Sequence, residues 1–179
     1  MESSPHVVIV GGGASGFGVA DNLRSLSFPG KITILSSEEY PPIDRTKLSK
    51  ALVTDASQIL LRTEETLKDL DIHLSHTRVT QVNVDSKFVI TENGDTVSYD
   101  KLVLATGGTP KMLPLPGFKE LNGIFKLRTL PQAKDIVDAS TGGRKSIVII
   151  GTGFIGMEIA IALHKEHDIA MIGMEKVPL

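Results

Sequence analysis

Six glycines, arranged in two copies of one spacing, are the residues of this chain best suited to chemistry with phosphates. Gly11, Gly13 and Gly16 stand in VVIVGGGASG, and Gly151, Gly153 and Gly156 stand in SIVIIGTGFIG. A backbone with no Cβ at these points can turn sharply out of a strand, approach a pyrophosphate closely, and let the next helix pack tightly on the strand. The amides that open the helix are unpaired, so they face the phosphates with the helix dipole behind them. In the first copy the groups presented this way belong to Gly11, Gly13, Ala14, Ser15 and Gly16. In the second they belong to Gly151, Gly153, Phe154, Ile155 and Gly156.

Acids and cations complete the candidate chemistry. A dinucleotide site needs a carboxylate to accept hydrogen bonds from the adenosine ribose, about 20 residues beyond the glycines. Strand KITILS, Lys31–Ser36, runs out there at Ser37, Glu38 and Glu39, with Glu38 the first choice and Glu39 the second. In the second copy the count falls on Gly173 or Met174, with Glu175 just beyond and Lys176 beside it. If Glu175 reaches the 2′-hydroxyl the donor is NADH; the neighbouring lysine leaves NADPH open, and the balance is toward NADH. Arg45 and Lys50, in YPPIDRTKLSKAL, could balance a pyrophosphate or a reduced, anionic flavin; on residue type alone, solvated surface cations explain them equally well.

Other constellations carry less. His164 and His167 have helical spacing, but no carboxylate or thiolate cluster joins them, and a solvated helix end is the better reading. Ser15 is not a nucleophile elbow, because Phe17 stands where the final glycine should be. Cysteine is absent, which excludes disulfides, thiolate metal sites and any relay through a cysteine pair.

The elements that must hold these residues follow from pattern. Each glycine cluster comes after a short apolar strand and before a helical stretch, GFGVADNLRSL or MEIAIALHKEH, and a further strand follows each helix. Two such units suggest two dinucleotides, and hence electron transfer between them. Asp44 or Thr46 can cap a short helix over the Arg45 to Lys50 stretch. Between Thr77 and Tyr99, alternating apolar residues broken at Asp85-Ser86 and Asn93-Gly94 predict a three-stranded antiparallel meander. Asp100 leads into LVLATGG, read as a buried strand whose Ala105, Thr106 and Gly107 end brings backbone near a cofactor. The Gly- and Pro-rich run Gly107–Gly117 is a crossover. Arg128 is placed on a short strand, and a helix over Pro131–Ala139 ends at Thr141-Gly142-Gly143-Arg144. With 179 residues and a net charge of −2 there is no basic run to attract nucleic acid, and no apolar stretch reaches a membrane span of about 20 residues.

The order of these motifs resembles the flavin-dependent pyridine-nucleotide oxidoreductases of the ferredoxin-reductase and apoptosis-inducing-factor-like type. The resemblance runs from the first glycine cluster through DRTKLSK, ILLR, LVLATGG and LRT to the second cluster with Glu158 beyond it. Its most specific part is DRTKLSK, where Thr46 replaces a proline of the family's segment. The resemblance implies FAD in the first unit, with contacts from Arg45, Lys50, the backbone of Val79, and Arg128. It further implies Lys50 near the reactive edge of the flavin, paired with Glu158 as a buried ion pair, the two forming the catalytic constellation. Electrons would pass from NAD(P)H through FAD to an iron–sulfur protein, or to a quinone or oxygen.

The fold expected is α/β. A Rossmann-like FAD-binding domain with an inserted antiparallel β-meander, residues 1–116, leads into the incomplete start of a second, NAD(P)-binding Rossmann-like domain, residues 117–179. Strand β-edge and apolar helix face in the second unit should be left uncovered. The chain is read as the N-terminal portion of a longer oxidoreductase, a homodimer in its full-length form. The alternative is an inactive nucleotide-binding fragment or interaction module. It is expected to be cytoplasmic, or mitochondrial were a targeting segment to precede it.

Overall fold

The computed structural model describes residues 4–179. In chain order the elements are β1 (His6–Val10), α1 (Ala14–Ser25), β2 (Lys31–Ser36), α2 (Thr46–Ala51), a 3-10 turn (Ala56–Gln58), α3 (Glu64–Asp69), β3 (Ile72–His76), β4 (Val79–Asn83), β5 (Phe88–Thr91), β6 (Thr96–Ser98), β7 (Lys101–Leu104), α4 (Leu130–Ser140), β8 (Ser146–Ile150), α5 (Phe154–Leu163) and β9 (Asp168–Ile172). They fall into two compact units. One holds the chain up to Ile43 together with Leu60–Gly108; the other holds Asp44–Ile59 with Thr109–Leu179.

The first unit is built on a parallel sheet of order β3-β2-β1-β7. Its central strands are apolar without alternation because both faces are covered. Val7 and Ile9 turn one way, into a core with Phe17 and Ala20 of α1, Ile32 and Ile34 of β2, and Leu67 of α3. Val8 and Val10 turn the other way, toward Leu35 and Val89, where Val79, Val97 and Tyr99 of the meander close the layer. Val8, Ile9, Ile32 and Ile34 are wholly buried. At about 1.5–3 kcal/mol for each such side chain, these strands carry much of the unit's stability.

The meander has the predicted order β4-β5-β6, with Gly94 at φ +86 in the turn that Asn93-Gly94 signalled. One reading of β7 is corrected. It is an edge strand rather than a buried one, paired on a single side with β1, and Leu104 is 63 % exposed.

At the far end of β1 and β2, Arg24 ties α1 to its surroundings. Its guanidinium donates to the carbonyls of Phe28, Gly30, Leu70 and Asp71, at 2.6 to 2.8 Å. These are carbonyls that loop and helix ends would otherwise leave unpaired.

In the second unit β8 and β9 pair in parallel, α5 lies on them, and α2 packs on α5. Thr129 caps α4, its hydroxyl accepting from the Gln132 amide at 3.4 Å. Gly142 and Gly143, at φ +80 and +106, turn the chain into β8 as expected. Arg128 lies in an irregular segment before α4 and not on a strand. Neither Asp44 nor Thr46 caps α2: Arg45 is the N-cap residue, and Asp44 forms a tight turn, its carboxylate accepting from the Thr46 amide and hydroxyl. That hydroxyl bond, with the amide and nearby lysines, holds the Asp44 carboxyl below its ordinary range. The expected uncovered apolar surface is present: Val148, Ile150, Ile161 and Ile172 are each more than half exposed.

Candidate nucleotide-binding sites

The first glycine turn is a piece of backbone geometry that side chains would destroy. Gly11 sits at φ +118, and a Cβ there would collide with the Ala105 carbonyl oxygen. The Gly11 amide donates to the Leu35 carbonyl at 2.8 Å, and the Ala105 amide to the Val10 carbonyl at 2.8 Å. The turn is therefore clamped between the ends of β2 and β7, which brings Ala105, Thr106 and Gly107 beside it. A Cβ on Gly16 would strike the Gly11 carbonyl oxygen, so α1 can rest against the turn only with glycine there.

Gly13 differs. It is the N-cap residue of α1, with no side-chain cap, and a Cβ would meet nothing within 4 Å. Ala14 and Ser15 open the helix at the surface. A helix start with uncapped amides beside such open space suits an anionic group. No part of the fold requires a glycine at that position, whereas close approach of a ligand backbone does.

At the end of β2, Glu38 is half-buried while Ser37 and Glu39 are exposed. Glu38 is held through both its backbone and its side chain. Its amide donates to Ser36 Oγ at 3.2 Å, its carbonyl accepts from His76 Nδ1 at 2.6 Å, and its carboxylate accepts from the Tyr40 hydroxyl at 2.7 Å. Tyr40 and His76 were not singled out from the sequence. Val79 is half-buried and packs against the core.

The second unit repeats the turn. Gly151 sits at φ +111, its amide donates to the Ile172 carbonyl at 2.8 Å, and a Cβ on Gly156 would strike the Gly151 carbonyl oxygen. Gly153 caps α5 as Gly13 caps α1. Phe154 and Ile155 are exposed. Strand register now fixes what counting along the sequence left loose. Val10 pairs with Leu35, and Ile150 pairs with Ile172. Glu38 therefore stands three residues past Leu35, and Glu175 stands three residues past Ile172. By this register Glu175, and neither Gly173 nor Met174, corresponds in position to Glu38. A size exchange accompanies it: a Cβ on Gly12 would meet Ser36 Oγ, and one on Gly173 would meet Thr152 Oγ1. Each unit thus puts a hydroxyl against a glycine, from opposite sides. Thr152 Oγ1 lies 3.5 Å from Glu175 Oε2, at the outer limit of a hydrogen bond.

Also in the second unit, Arg45, Leu48, Ser49, Leu127, Arg128 and Ile155 line a hollow of about 60 Å³. Arg45 Nη1 donates to the Arg128 carbonyl at 3.0 Å. Three residues predicted at a cofactor thus meet at one place. The Lys50 to Glu158 ion pair does not form. Glu158 instead accepts from the Ser49 hydroxyl at 2.5 Å, and Lys50 is exposed. Consecutive helix residues point about 100° apart, so the face of α2 that turns Ser49 toward α5 turns Lys50 away. A hydroxyl also satisfies the half-buried carboxylate without desolvating a second charge. Ser49 went unnoticed in the sequence because serine in a helix carries little signal of its own.

The histidine reading needs one correction. α5 ends at Leu163, and His167 is not at a solvated helix end: it is 4 % exposed, its Nδ1 accepting from the Lys145 amide at 3.3 Å. Among the described residues no group of three or more potential ligands could hold a metal ion. No described helix is long and apolar enough to cross a membrane.

Two parallel βαβ units, each with a glycine turn at the same register, define a protein of the Rossmann-like class. The chain belongs to the pyridine nucleotide-disulphide oxidoreductase family, which it matches over residues 5–177. It is 37 % identical over 178 residues to human apoptosis-inducing factor 3, an alignment covering 98 % of this chain and 29 % of that protein. Among solved structures, the ferredoxin reductase for the CYP199A2 system from Rhodopseudomonas palustris superposes with a TM-score of 0.86 at 32 % identity, over 93 % of this chain and 42 % of that one. The covalent putidaredoxin reductase–putidaredoxin complex gives 0.86 at 33 % identity, over 99 % and 44 %. The chain therefore spans less than half the length of these relatives.

Proposed function

We propose that this chain carries the pyrophosphate- and ribose-binding parts of a flavin-dependent NADH oxidoreductase, with FAD at residues 1–116 and the nicotinamide dinucleotide at residues 117–179. The observation that carries the reading is the repeated register: each unit has a glycine turn, an uncapped helix start, and an acid at the same position beyond the second strand. The residues fit a dinucleotide, since Gly13 leaves open the space in which a phosphate would approach the backbone. When bound, FAD supplies a ring that takes hydride from the nicotinamide and releases electrons singly.

The chain's own residues then have separate tasks. Amides at the start of α1 and α5 bind phosphate, Glu38 and Glu175 bind ribose hydroxyls, and the carboxylate at Glu175 favours NADH over NADPH by repelling a 2′-phosphate. Arg45 and Arg128 supply positive charge at the hollow they line within the second unit. With no cysteine in the chain, electrons leave the flavin for an external acceptor. An iron–sulfur protein suits this role, and the ferredoxin and putidaredoxin reductases among the relatives support it.

Gly13→Ala tests the reading. The added methyl meets no protein atom, so thermal stability should change by no more than the ~1 kcal/mol that a poorer N-cap costs. FAD affinity, followed by quenching of flavin fluorescence, should fall at least about tenfold, the equivalent of roughly 1.4 kcal/mol. Unchanged affinity would remove the first glycine turn from the binding site.

A further inference from the structure

We infer that Tyr40 and His76 are positioning residues that hold Glu38 as the clamp on an adenosine ribose. The inference rests on the reading that Glu38 contacts that ribose, and it assigns the two residues that set the carboxylate's place.

A glutamate at the end of a strand has three free torsions, and a solvated one would lose rotamer freedom on each binding event. Here that cost is met by the fold. The Tyr40 hydroxyl donates to Glu38 Oε1 at 2.7 Å, which fixes the carboxylate. A carboxylate offers about four acceptor positions, of which the tyrosine takes one.

The backbone is fixed just as closely. The Glu38 carbonyl can only accept, so His76 Nδ1, 2.6 Å away, carries the proton and donates. The other ring nitrogen lies 3.5 Å from Glu64 Oε1 on α3. Ser36, 2 % exposed and pressed against Gly12 of the glycine turn, accepts from the Glu38 amide. Glu38 is therefore tied to the end of β3 through His76 and to the glycine turn through Ser36. The second unit offers a contrast: Glu175 is exposed, and its side-chain contact is the long one to Thr152.

The test compares the affinities of the whole chain for ADP and for 2′,3′-dideoxy-ADP by calorimetry. Only the ratio reports on the ribose hydroxyls; the dideoxy compound controls for folding and phosphate binding. With Glu175→Ala in the background, so that the second unit's acid adds no preference of its own, the chain should prefer ADP about tenfold, and Glu38→Ala should abolish the preference. Tyr40→Phe should cut the preference at least threefold while leaving dideoxy-ADP affinity unchanged. His76→Phe should do the same, and His76→Asn, whose amide nitrogen can stand where Nδ1 stands, should restore it. If Glu38→Ala lowers the ratio but Tyr40→Phe and His76→Phe do not, the positioning role is overturned and the ribose contact stands. If Glu38→Ala leaves the ratio unchanged, or the unaltered chain binds neither compound, the ribose reading fails and this inference with it.

Discussion

At the scale of single residues, partners decide more than positions do. Glu158 was expected beside a lysine and is instead held by Ser49, a neutral donor that is 5 % exposed. Removing the donor leaves a half-buried carboxylate short of a hydrogen bond, at a cost of about 1–3 kcal/mol. Ser49→Ala should lower stability to urea by that amount, and Ser49→Thr should recover most of it. Equal stability of all three proteins would mean the hydroxyl contributes nothing.

His6 makes a second prediction at this scale. Burial, and then the Lys31 charge, lower the pKa of its imidazole, whose Nε2 lies 2.8 Å from Thr33 Oγ1. The unfolded chain therefore takes up a proton at higher pH than the folded one. The stability that neutral His6 contributes is complete above the unfolded value of about 6.5 and is lost as pH falls through the lower folded value. In urea unfolding at pH 8 and pH 5, His6→Gln should lose less stability on acidification than the unaltered chain. A loss as large or larger would contradict the assignment.

At the scale of elements, the glycine turns are strand ends clamped by neighbouring strands, and the helix rests on them. Gly16→Ala drives a methyl into the Gly11 carbonyl and must displace α1, so it should cost more than about 2 kcal/mol. Gly13→Ala, three residues earlier, should cost less than half as much. The two melting temperatures measured side by side check this, and similar values would mean that α1 is not seated on the turn.

Much at this scale was legible in the sequence, because strand, turn and helix grammar is local. β2 was read to the residue, and the Asn93-Gly94 turn announced the meander. What escaped was set by packing. LVLATGG reads as a buried strand by composition, but its apolar run cannot reveal that β7 pairs on one side only. Residue counting could not align Glu175 with Glu38, since that correspondence comes from the strand register between β8 and β9. Tyr40, His76 and Ser49 escaped because each acts through one hydrogen bond to a residue that the pattern did find.

At the scale of the whole molecule, two units of one design carry the same device with different finish. In the first, the acid is held by Tyr40, His76 and Ser36 and the sheet is covered on both faces. In the second, the acid is exposed and apolar residues of β8, α5 and β9 face solvent. Surface of that kind in a monomer marks a place where something else packs. The difference orders the expectations for binding: FAD at the first unit should be the tighter interaction, and NADH at the second the weaker.

The most direct measurement is the visible absorption spectrum of the purified chain after reconstitution with FAD, followed by anaerobic NADH. A protein-bound flavin spectrum that survives gel filtration and bleaches on addition of NADH is expected, with Glu175→Ala reducing the advantage of NADH over NADPH. A chain that emerges colourless from gel filtration, or whose bound flavin NADH leaves oxidised, would contradict the claim that these two glycine turns bind a flavin and its donor.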